Sequence, residues 1–442
     1  MKKKIWVLFF VLVGGALLVS GSLLAGGEQK TLDRSEDPVV VKAGDLLWLG
    51  GAEINKLTLF AYNDGSFQPV PFQVDERLAD GMYVYTEGPE NNADKGNQKM
   101  DGHDELVFMA RDSGDKAPAD ASLPCSPSRS IELTLTDPAA GGKAWLYFAE
   151  CGTDAPRCGR DYVSHEFDGS RDWVKSERYH FSEKRGESYF DRLALQDESG
   201  EVDENLVDRL KGRGTIRAAA GMIKINTPES DVKGSLKAWI DGPVRVIHLM
   251  EGYIKFSVVK LNIGGVSQNL FYPNYFVTPI AVNTPVPPAS VLTSFKMRYA
   301  IDWNEEFEGT MYYDPVNDKG VELDGEMSEA EKNMDYETGH EWYALAGEKG
   351  NMVVRLVLPD KWRGVVPQKL YYVDDEDAAD PPESEPGQRC AGFVMDDLVD
   401  IPAGKHTYHL YYMVPAESPP ASVPDMLNIL DKPVKVDSAK LD

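Results

Sequence analysis

Short runs that alternate between apolar and polar residues are the feature of this sequence that most constrains its fold. Residues 131–136 read I-E-L-T-L-T, and similar strand-like runs occur at 57–62 and 408–413. Alternation with a period of two puts every second side chain on one face of a strand, so that face can be buried while the other meets water. Turn-forming residues such as Asp64 and Gly65 separate the runs. This pattern predicts an all-β protein composed of antiparallel β-sandwich domains.

Helical signals are few and short. Ser328 followed three residues later by Glu331 is a capping box, the usual sign of a helix start. No stretch of the sequence carries the long amphipathic pattern of a helix that binds a partner. We therefore expect a few short helices beside the strands.

The N-terminal residues predict a signal peptide over residues 1–25. Three lysines at positions 2–4 precede an apolar run from Ile5 to Leu18, and small residues follow this run. A charged region, an apolar region and small residues in this order are typical of secretory signals. The prediction places the protein in the bacterial periplasm, on the cell surface or outside the cell. An uncleaved membrane anchor over residues 5–25 is the alternative.

The sequence is strongly acidic. Its 442 residues include 72 Asp and Glu but 46 Lys and Arg, which gives a formal net charge of −26. Such a charge repels nucleic acid and anionic lipid, so we expect no nucleic-acid partner. No second long apolar run follows the signal peptide, so we also expect no membrane span after its removal.

The positions of strand-like runs and connectors predict the domain organisation. We expect an N-terminal β domain with an acidic loop over residues 30–160 and a larger β-sandwich region over residues 161–420. A proline-rich connector at residues 284–290 is a candidate for a break within the larger region. Residues 421–442 are predicted to form a polar C-terminal tail.

The chain contains four cysteines, an even number that favours disulfides in an exported protein. They are Cys125, Cys151, Cys158 and Cys390. Because Cys151 and Cys158 enclose a short loop with a glycine and a proline, we predict that these two form a disulfide. Four cysteines permit three pairings, and the sequence alone does not choose among them.

A segment rich in oxygen-bearing side chains lies between two strand-like runs, at residues 70–74 and 106–110. Its candidate ligands are Asp94, Asn97, Asp101, Asp104 and Glu105. Hard cations such as Ca²⁺ bind carboxylate and amide oxygens that converge in a loop. We therefore interpret the segment as a candidate calcium site, although neither register matches a complete EF-hand loop. A solvated acidic loop without a cation is the alternative interpretation.

Three short stretches carry a resemblance to known proteins. They read P-F-Q-V-D at 71–75, D-E-L-V-F-M at 104–109 and A-W-I-D-G-P-V-R-V-I at 238–247. They resemble segments of uncharacterised exported bacterial β-proteins, some of which look like the mutarotase-like β-supersandwich domains of sugar-active proteins. The resemblance implies export, a β-sandwich fold and a link to carbohydrate. None of the three stretches contains a recognised catalytic residue.

No motif in the sequence determines a reaction, so whether the protein is an enzyme is left open. The sequence lacks G-x-S-x-G, H-E-x-x-H and the P-loop pattern. Our first hypothesis is an exported protein that binds a glycan or a cell-envelope ligand, supported by Ca²⁺ in the acidic loop. The alternatives are a carbohydrate-active enzyme, either a lyase or a hydrolase, and a structural component of an extracellular assembly.

The calcium hypothesis makes a prediction about thermal stability. A cation that binds only the folded state raises the melting temperature as its concentration rises. We predict this rise for the unaltered protein and its loss in the Asp101→Ala and Asp104→Ala variants. Thermal unfolding in a chelator and in millimolar calcium is the measurement, and identical curves would favour the solvated loop.

Overall fold

The computed structural model describes residues 27–46, 49–153, 155–187, 190–202, 204–256, 259–336 and 340–441. The predicted signal peptide, residues 1–25, lies outside these described residues. Strands dominate the described chain, and the α-helices found there are α1 (Glu329–Lys332) and α2 (Val423–Asp431). The prediction of an all-β, antiparallel sandwich fold is confirmed. Within the described residues, neither helix has the length and apolar character needed to cross a bilayer.

The first sandwich packs a three-stranded sheet against a five-stranded sheet. Its strands are β1 (Pro38–Lys42), β2 (Leu57–Asn63), β3 (Ser66–Pro69), β4 (Gln73–Asp75), β5 (Glu105–Met109), β6 (Arg129–Thr136), β7 (Lys143–Glu150) and β26 (Lys435–Lys440). The strand orders are β1-β5-β4 and β26-β6-β7-β2-β3. In β6, Ile131, Leu133 and Leu135 are buried and the residues between them are partly exposed. These three residues share a buried core with Phe108 of β5, as the alternating pattern predicts.

Residues 421–441, the described part of the predicted polar tail, are instead part of the fold. Met426 and Ile429 of α2 are buried. Strand β26 then pairs with β6 at the edge of the five-stranded sheet, with Val436 opposite Leu135. Because the sequence of β26, K-V-D-S-A-K, has a single large apolar residue, its strand conformation depends on hydrogen bonds to β6 more than on burial.

The second sandwich contains three sheets. The four-stranded sheet consists of β8 (Val163–Phe167), β9 (Arg171–Ser176), β10 (Tyr179–Lys184) and β11 (Phe190–Leu195). The second five-stranded sheet has the longer strands, and we call it the larger five-stranded sheet. It consists of β12 (Val207–Ala218), β13 (Ile223–Thr227), β18 (Leu292–Trp303), β23 (Gln368–Asp375) and β24 (Gln388–Met395). The nine-stranded sheet consists of β14 (Val232–Asp241), β15 (Val246–Phe256), β16 (Val259–Phe271), β17 (Tyr275–Thr284), β19 (Thr310–Tyr313), β20 (Val321–Leu323), β21 (Trp342–Gly347), β22 (Gly350–Val357) and β25 (Gly404–Met413). Their orders are β11-β10-β9-β8, β13-β12-β18-β24-β23 and β14-β15-β16-β17-β25-β22-β21-β19-β20.

One apolar core joins the three sheets of the second sandwich. It includes Phe181 from the four-stranded sheet, Trp303 from the larger five-stranded sheet and Tyr412 from the nine-stranded sheet. The chain passes from the nine-stranded to the five-stranded sheet at residues 284–290, since β17 ends at Thr284 and β18 begins at Leu292. This proline-rich segment therefore connects two sheets that share a core.

The two sandwiches meet through β5, α2 and the nine-stranded sheet. Val107 and Met109 of β5 face away from the first core and pack in a cluster with Val244 and Tyr272. Met426 of α2 belongs to the same cluster. Every residue of β5 is buried. The strand therefore contains a continuous apolar run, over residues 106–109, instead of an alternating pattern.

The structure corrects the predicted disulfide. Cys125 is bonded to Cys151 with a Cα–Cα distance of 5.7 Å, and Cys158 is a free thiol. The reason lies in the antiparallel register of β6 and β7, in which Arg129 is opposite Glu150. The chain that enters β6 therefore passes close to the chain that leaves β7, and this brings Cys125 to Cys151. Cys390 is buried and also a free thiol.

Removal of this disulfide should destabilise the protein. A crosslink that closes a loop of 26 residues restricts the unfolded chain, and its loss costs about 3 kcal/mol. We predict that Cys151→Ser lowers the free energy of unfolding by that amount, whereas Cys158→Ser leaves it unchanged. Urea unfolding of both variants, together with peptide mapping without reductant, checks the prediction. A Cys151–Cys158 peptide in the unaltered protein would contradict it.

Candidate functional site

The structure distributes the candidate ligands of the acidic loop over different contacts. Asp94 and Asn97 are exposed, and the Asn97 side-chain amide donates to Asp101 Oδ2 over 3.3 Å. Asp104 is buried and accepts hydrogen bonds from the backbone N–H groups of Arg77 and Asp101, which are 2.9 and 2.7 Å long. Burial raises the pKa of Asp104 to about 6. These contacts stabilise the loop itself.

Glu105, the last of the candidate ligands, contacts two arginines. Arg77 donates to Oε1 of Glu105, and Arg245 donates to Oε2 over 2.6 Å. In the described part of the chain, no group of three or more His, Cys, Asp or Glu residues is placed to hold a metal ion. Calcium binding by the loop therefore stays a prediction, and Glu105 takes part in a different arrangement.

The three stretches that carry the family resemblance meet in one buried cluster of charged residues, Asp75, Glu105 and Arg245. We call these three residues the Arg245 cluster. Arg245 donates from Nε to Asp75 over 2.8 Å and from a terminal nitrogen to Glu105 over 2.6 Å. Its other terminal nitrogen donates to the hydroxyl of Tyr272 over 2.9 Å. All three charged residues are more than nine-tenths buried.

Gln73 completes this arrangement and explains the glycine at position 242. Its side-chain oxygen accepts hydrogen bonds from the backbone N–H groups of Val244 and Arg245 over 3.0 and 2.8 Å. Its side-chain nitrogen donates to Asp75 over 2.9 Å. A Cβ atom at position 242 would lie 2.5 Å from the Gln73 oxygen. Glycine at position 242 therefore allows the segment at residues 241–245 to contact the side chain of Gln73.

The two carboxylates of the cluster are compensated by Arg245 together with the neighbouring Arg77. Burial acts to raise the pKa of Glu105, but Arg245 and Arg77 outweigh burial and hold the pKa below its ordinary value. The hydroxyl of Tyr83 also donates to Glu105, over 2.9 Å. Buried charges are tolerated only when they are paired and fully hydrogen-bonded. Because these groups satisfy one another, we interpret the Arg245 cluster as the joint between the two sandwiches rather than as a ligand site.

A cleft lies between the nine-stranded sheet and the larger five-stranded sheet, with a volume of about 210 Å³. Leu210 and Ile216 of β12 line one wall, and Met250 of β15 and Leu410 of β25 line the other. Phe181 lines the inner end, where the cleft reaches the core. Most of the lining is apolar, as is usual for the binding sites of small molecules.

Glycines inside strands form part of the cleft lining. Gly212 and Gly214 of β12, Gly234 of β14 and Gly252 of β15 all line it. Glycine inside a strand gives up side-chain packing, and it often marks a place where a ligand or another backbone approaches closely. These glycines are the signal in the sequence from which the cleft is predictable.

The few polar groups in the cleft are mostly paired with each other. The hydroxyl of Tyr408 donates to the hydroxyl of Tyr299 over 2.6 Å. The Ser267 hydroxyl contacts Asn269 Oδ1 over 2.6 Å and the carbonyl oxygen of Pro279 over 2.7 Å. Polar groups that already have partners leave the apolar lining as the main surface offered to a ligand.

Glu183 is the exception among the polar residues of the cleft. It lines the cleft and is only 4% exposed, and its Oε1 atom has no hydrogen-bond partner among the described residues. Nδ1 of His248 lies 3.5 Å from that oxygen. Burial lowers the pKa of His248, so the imidazole is neutral near pH 7. Glu251, the other acidic residue of the lining, pairs with Lys237 over 2.9 Å. Glu183 is therefore the acidic group of the lining that is placed to contact a polar part of a ligand.

A row of charged and aromatic residues continues from His248 to the surface. The ring of His165 lies 5.1 Å from that of His248, and Nε2 of His165 lies 3.4 Å from Asp172. Arg185, which is half exposed, donates two hydrogen bonds to Asp172 over 2.8 and 2.9 Å. Burial acts to raise the pKa of Asp172, but the bonds from Arg185 outweigh it and lower the pKa to about 2. Sequence reasoning missed this row because its members come from β8, β9, β15 and the turn after β10.

Loss of the central arginine should weaken the joint between the sandwiches. In Arg245→Met, Asp75 stays buried without a cation and Glu105 keeps only the partly exposed Arg77. Breaking such a buried pair costs about 3–5 kcal/mol. We predict a fall of this size in the free energy of unfolding. Arg77→Met is the matched control, because Arg77 is partly exposed and should cost about 1 kcal/mol or less. Equal losses in urea unfolding of the two variants would contradict the assignment.

Comparison with known proteins adds little to this geometry. No protein-family model and no curated protein matches the sequence. Among solved structures, the chain is similar to the crystal structure of an alpha-mannosidase from Enterococcus faecalis V583, with a TM-score of 0.40 and 8% sequence identity. The match covers 88% of this chain and 47% of that chain, so the protein spans about half the length of the mannosidase. At this TM-score the likeness supports no inference about activity.

Proposed function

We propose that the protein is an exported binding protein for an amphipathic cell-envelope molecule, whose hydrocarbon part occupies the cleft between the two large sheets. The observation that carries this proposal is the cleft itself, with its apolar walls. Burial of hydrocarbon surface in such a site is favourable by about 25 cal/mol per Å². An acyl chain is the part of an envelope molecule that gains most from it.

A free glycan fits the cleft less well than a hydrocarbon chain. Sugar hydroxyls lose hydrogen bonds to water on burial and need protein partners in return. Tyr299, Tyr408 and Ser267 already have partners, which leaves Glu183 as the principal acceptor. A cleft with so few free polar groups suits the hydrocarbon part of an amphipathic molecule. The link to carbohydrate then concerns a head group that stays outside the walls.

A carbohydrate-active enzyme is the second candidate function, because Glu183 and His248 resemble a general acid–base pair. A carboxylate in a buried cleft beside a neutral imidazole can accept a proton from a bound hydroxyl group. Under this alternative, incubation with an envelope lipid extract releases a product that mass spectrometry detects, and Glu183→Gln abolishes it. A structural role in an extracellular assembly stays a prediction.

Two neighbouring residues on β12 provide a test of the binding proposal. Ile216 lines the cleft, whereas Thr215 lies on the opposite face of the same strand. We predict that Ile216→Trp fills the cleft and weakens binding of a fluorescent dodecanoic acid analogue by about tenfold, which corresponds to about 1.4 kcal/mol. Thr215→Trp should bind the probe as the unaltered protein does. Fluorescence titration is the measurement, and equal affinity in all three proteins would argue against the cleft.

A further inference from the structure

One end of the second sandwich concentrates exposed apolar side chains. Ten large apolar residues are clearly exposed in the described chain, and five of them lie in two segments at this end. They are Met222, Ile223, Ile225, Val286 and Val291. Met222 is 84% exposed and Val291 is 61% exposed, which is unusual for side chains of this kind. Soluble proteins rarely expose apolar groups together unless the patch contacts something.

The strand register places the two segments side by side. Ala218, the last residue of β12, is opposite Leu292, the first residue of β18. The turn between β12 and β13, which carries Met222, therefore adjoins the connection from β17 to β18, which carries Val286 and Val291. We call residues 219–225, which comprise the turn and the start of β13, together with the connection at residues 285–291, the apolar end.

The apolar end adjoins one end of the cleft, which we take as its mouth. Ile216, two residues before the end of β12, lines the cleft and is partly exposed. Phe295 on the neighbouring strand β18 is likewise a partly exposed lining residue. Val282 lines the cleft near the end of β17, just before the connection. A molecule that leaves the cleft past these residues meets the exposed side chains of the apolar end.

The charge of this end differs from that of the whole chain. Residues 216–227 include Arg217 and Lys224 and no acidic residue, and both side chains are exposed. The connection adds little positive charge, because Arg298 pairs with Asp380 and the segment 398–400, with the exposed Asp400, packs against residues 288–290. Lys296 pairs with Asp396, so the freely exposed positive charge comes mainly from the hairpin of β12 and β13. This hairpin is basic and apolar, although the whole chain has a net charge of −26. Such a hairpin suits a partner with negative charge at its surface and apolar groups beneath that surface.

We propose that the apolar end docks onto a lipid bilayer with anionic head groups, with Met222 and Ile223 inserted among the acyl chains. Arg217 and Lys224 contact the head groups, and the mouth of the cleft then faces the hydrocarbon. Apolar tips flanked by bases bind membranes through burial and charge together. The docking of the apolar end on a bilayer is argued from the residues of that end alone. The passage of a lipid between bilayer and cleft rests on the proposed function.

A bilayer fits this surface better than a protein partner does. The exposed residues sit on turns and on β13, four of whose five residues are exposed, so they form a protrusion rather than a flat face. Stable protein interfaces need broad complementary surfaces of roughly 800 Å² on each partner. A narrow protrusion inserts readily between lipids, because acyl chains rearrange around it.

Vesicle cosedimentation tests the docking proposal. Vesicles of phosphatidylglycerol with phosphatidylcholine should sediment the unaltered protein, and vesicles of phosphatidylcholine alone should sediment much less. We predict that the double substitution Met222→Glu and Ile223→Glu reduces the partition onto anionic vesicles by tenfold or more. Val316→Glu is the matched control, since Val316 is 59% exposed but lies between β19 and β20. This control should bind as the unaltered protein does.

Three results would overturn the docking proposal. The first is no cosedimentation of the unaltered protein with anionic vesicles, and the second is an equal loss in Val316→Glu. The third is a dimer in analytical ultracentrifugation that the double substitution dissociates, because this assigns the surface to a second copy of the chain. Ile216→Trp separates the two proposals: it should keep vesicle binding while losing the fatty-acid probe. Loss of probe binding alone therefore leaves the docking proposal intact.

Discussion

The structure depends on one buried guanidinium group. Arg245 is almost completely buried, so its charge requires Asp75 and Glu105, which belong to the other sandwich. A buried cation without partners costs several kcal/mol, and this cost makes any other arrangement of the two sandwiches unfavourable. Gln73 adds directional hydrogen bonds to the same joint, and Gly242 gives the room for them. The joint thus sets how the first sandwich sits on the nine-stranded sheet.

Strand β15 connects this joint to the cleft. Arg245 immediately precedes it, His248 lies three residues further and contacts Glu183, and Met250 and Gly252 line the cleft wall. Its pairing with β16 then extends the sheet toward the end that bears the exposed apolar residues. One strand therefore links the interface between sandwiches, the acidic group of the cleft and the cleft wall. A change at the joint should therefore displace residues along β15, because closely packed strands shift together.

The sequence predicts the fold class well because strand periodicity is a local property. The alternation in Ile131–Thr136 is sufficient for β6, whereas β26 depends on an edge strand nearly three hundred residues away and leaves no strong local signal. The disulfide prediction is wrong for a similar reason: nearness in sequence favours Cys158, but strand register brings Cys125 to Cys151. The three stretches of the family resemblance are visible in the sequence, yet their meeting at Arg245 is a property of the tertiary structure. The glycines inside strands are the signal of the cleft in the sequence.

The most direct test of the account is the location of a bound hydrocarbon chain. We suggest crystals grown with ω-bromododecanoic acid and data collected at the bromine absorption edge. The account predicts an anomalous peak between the two large sheets, in the space bounded by Phe181, Met250 and Ile216. A cleft without anomalous signal, at a concentration that saturates the fluorescent probe, would contradict it and would assign the apolar walls to packing alone.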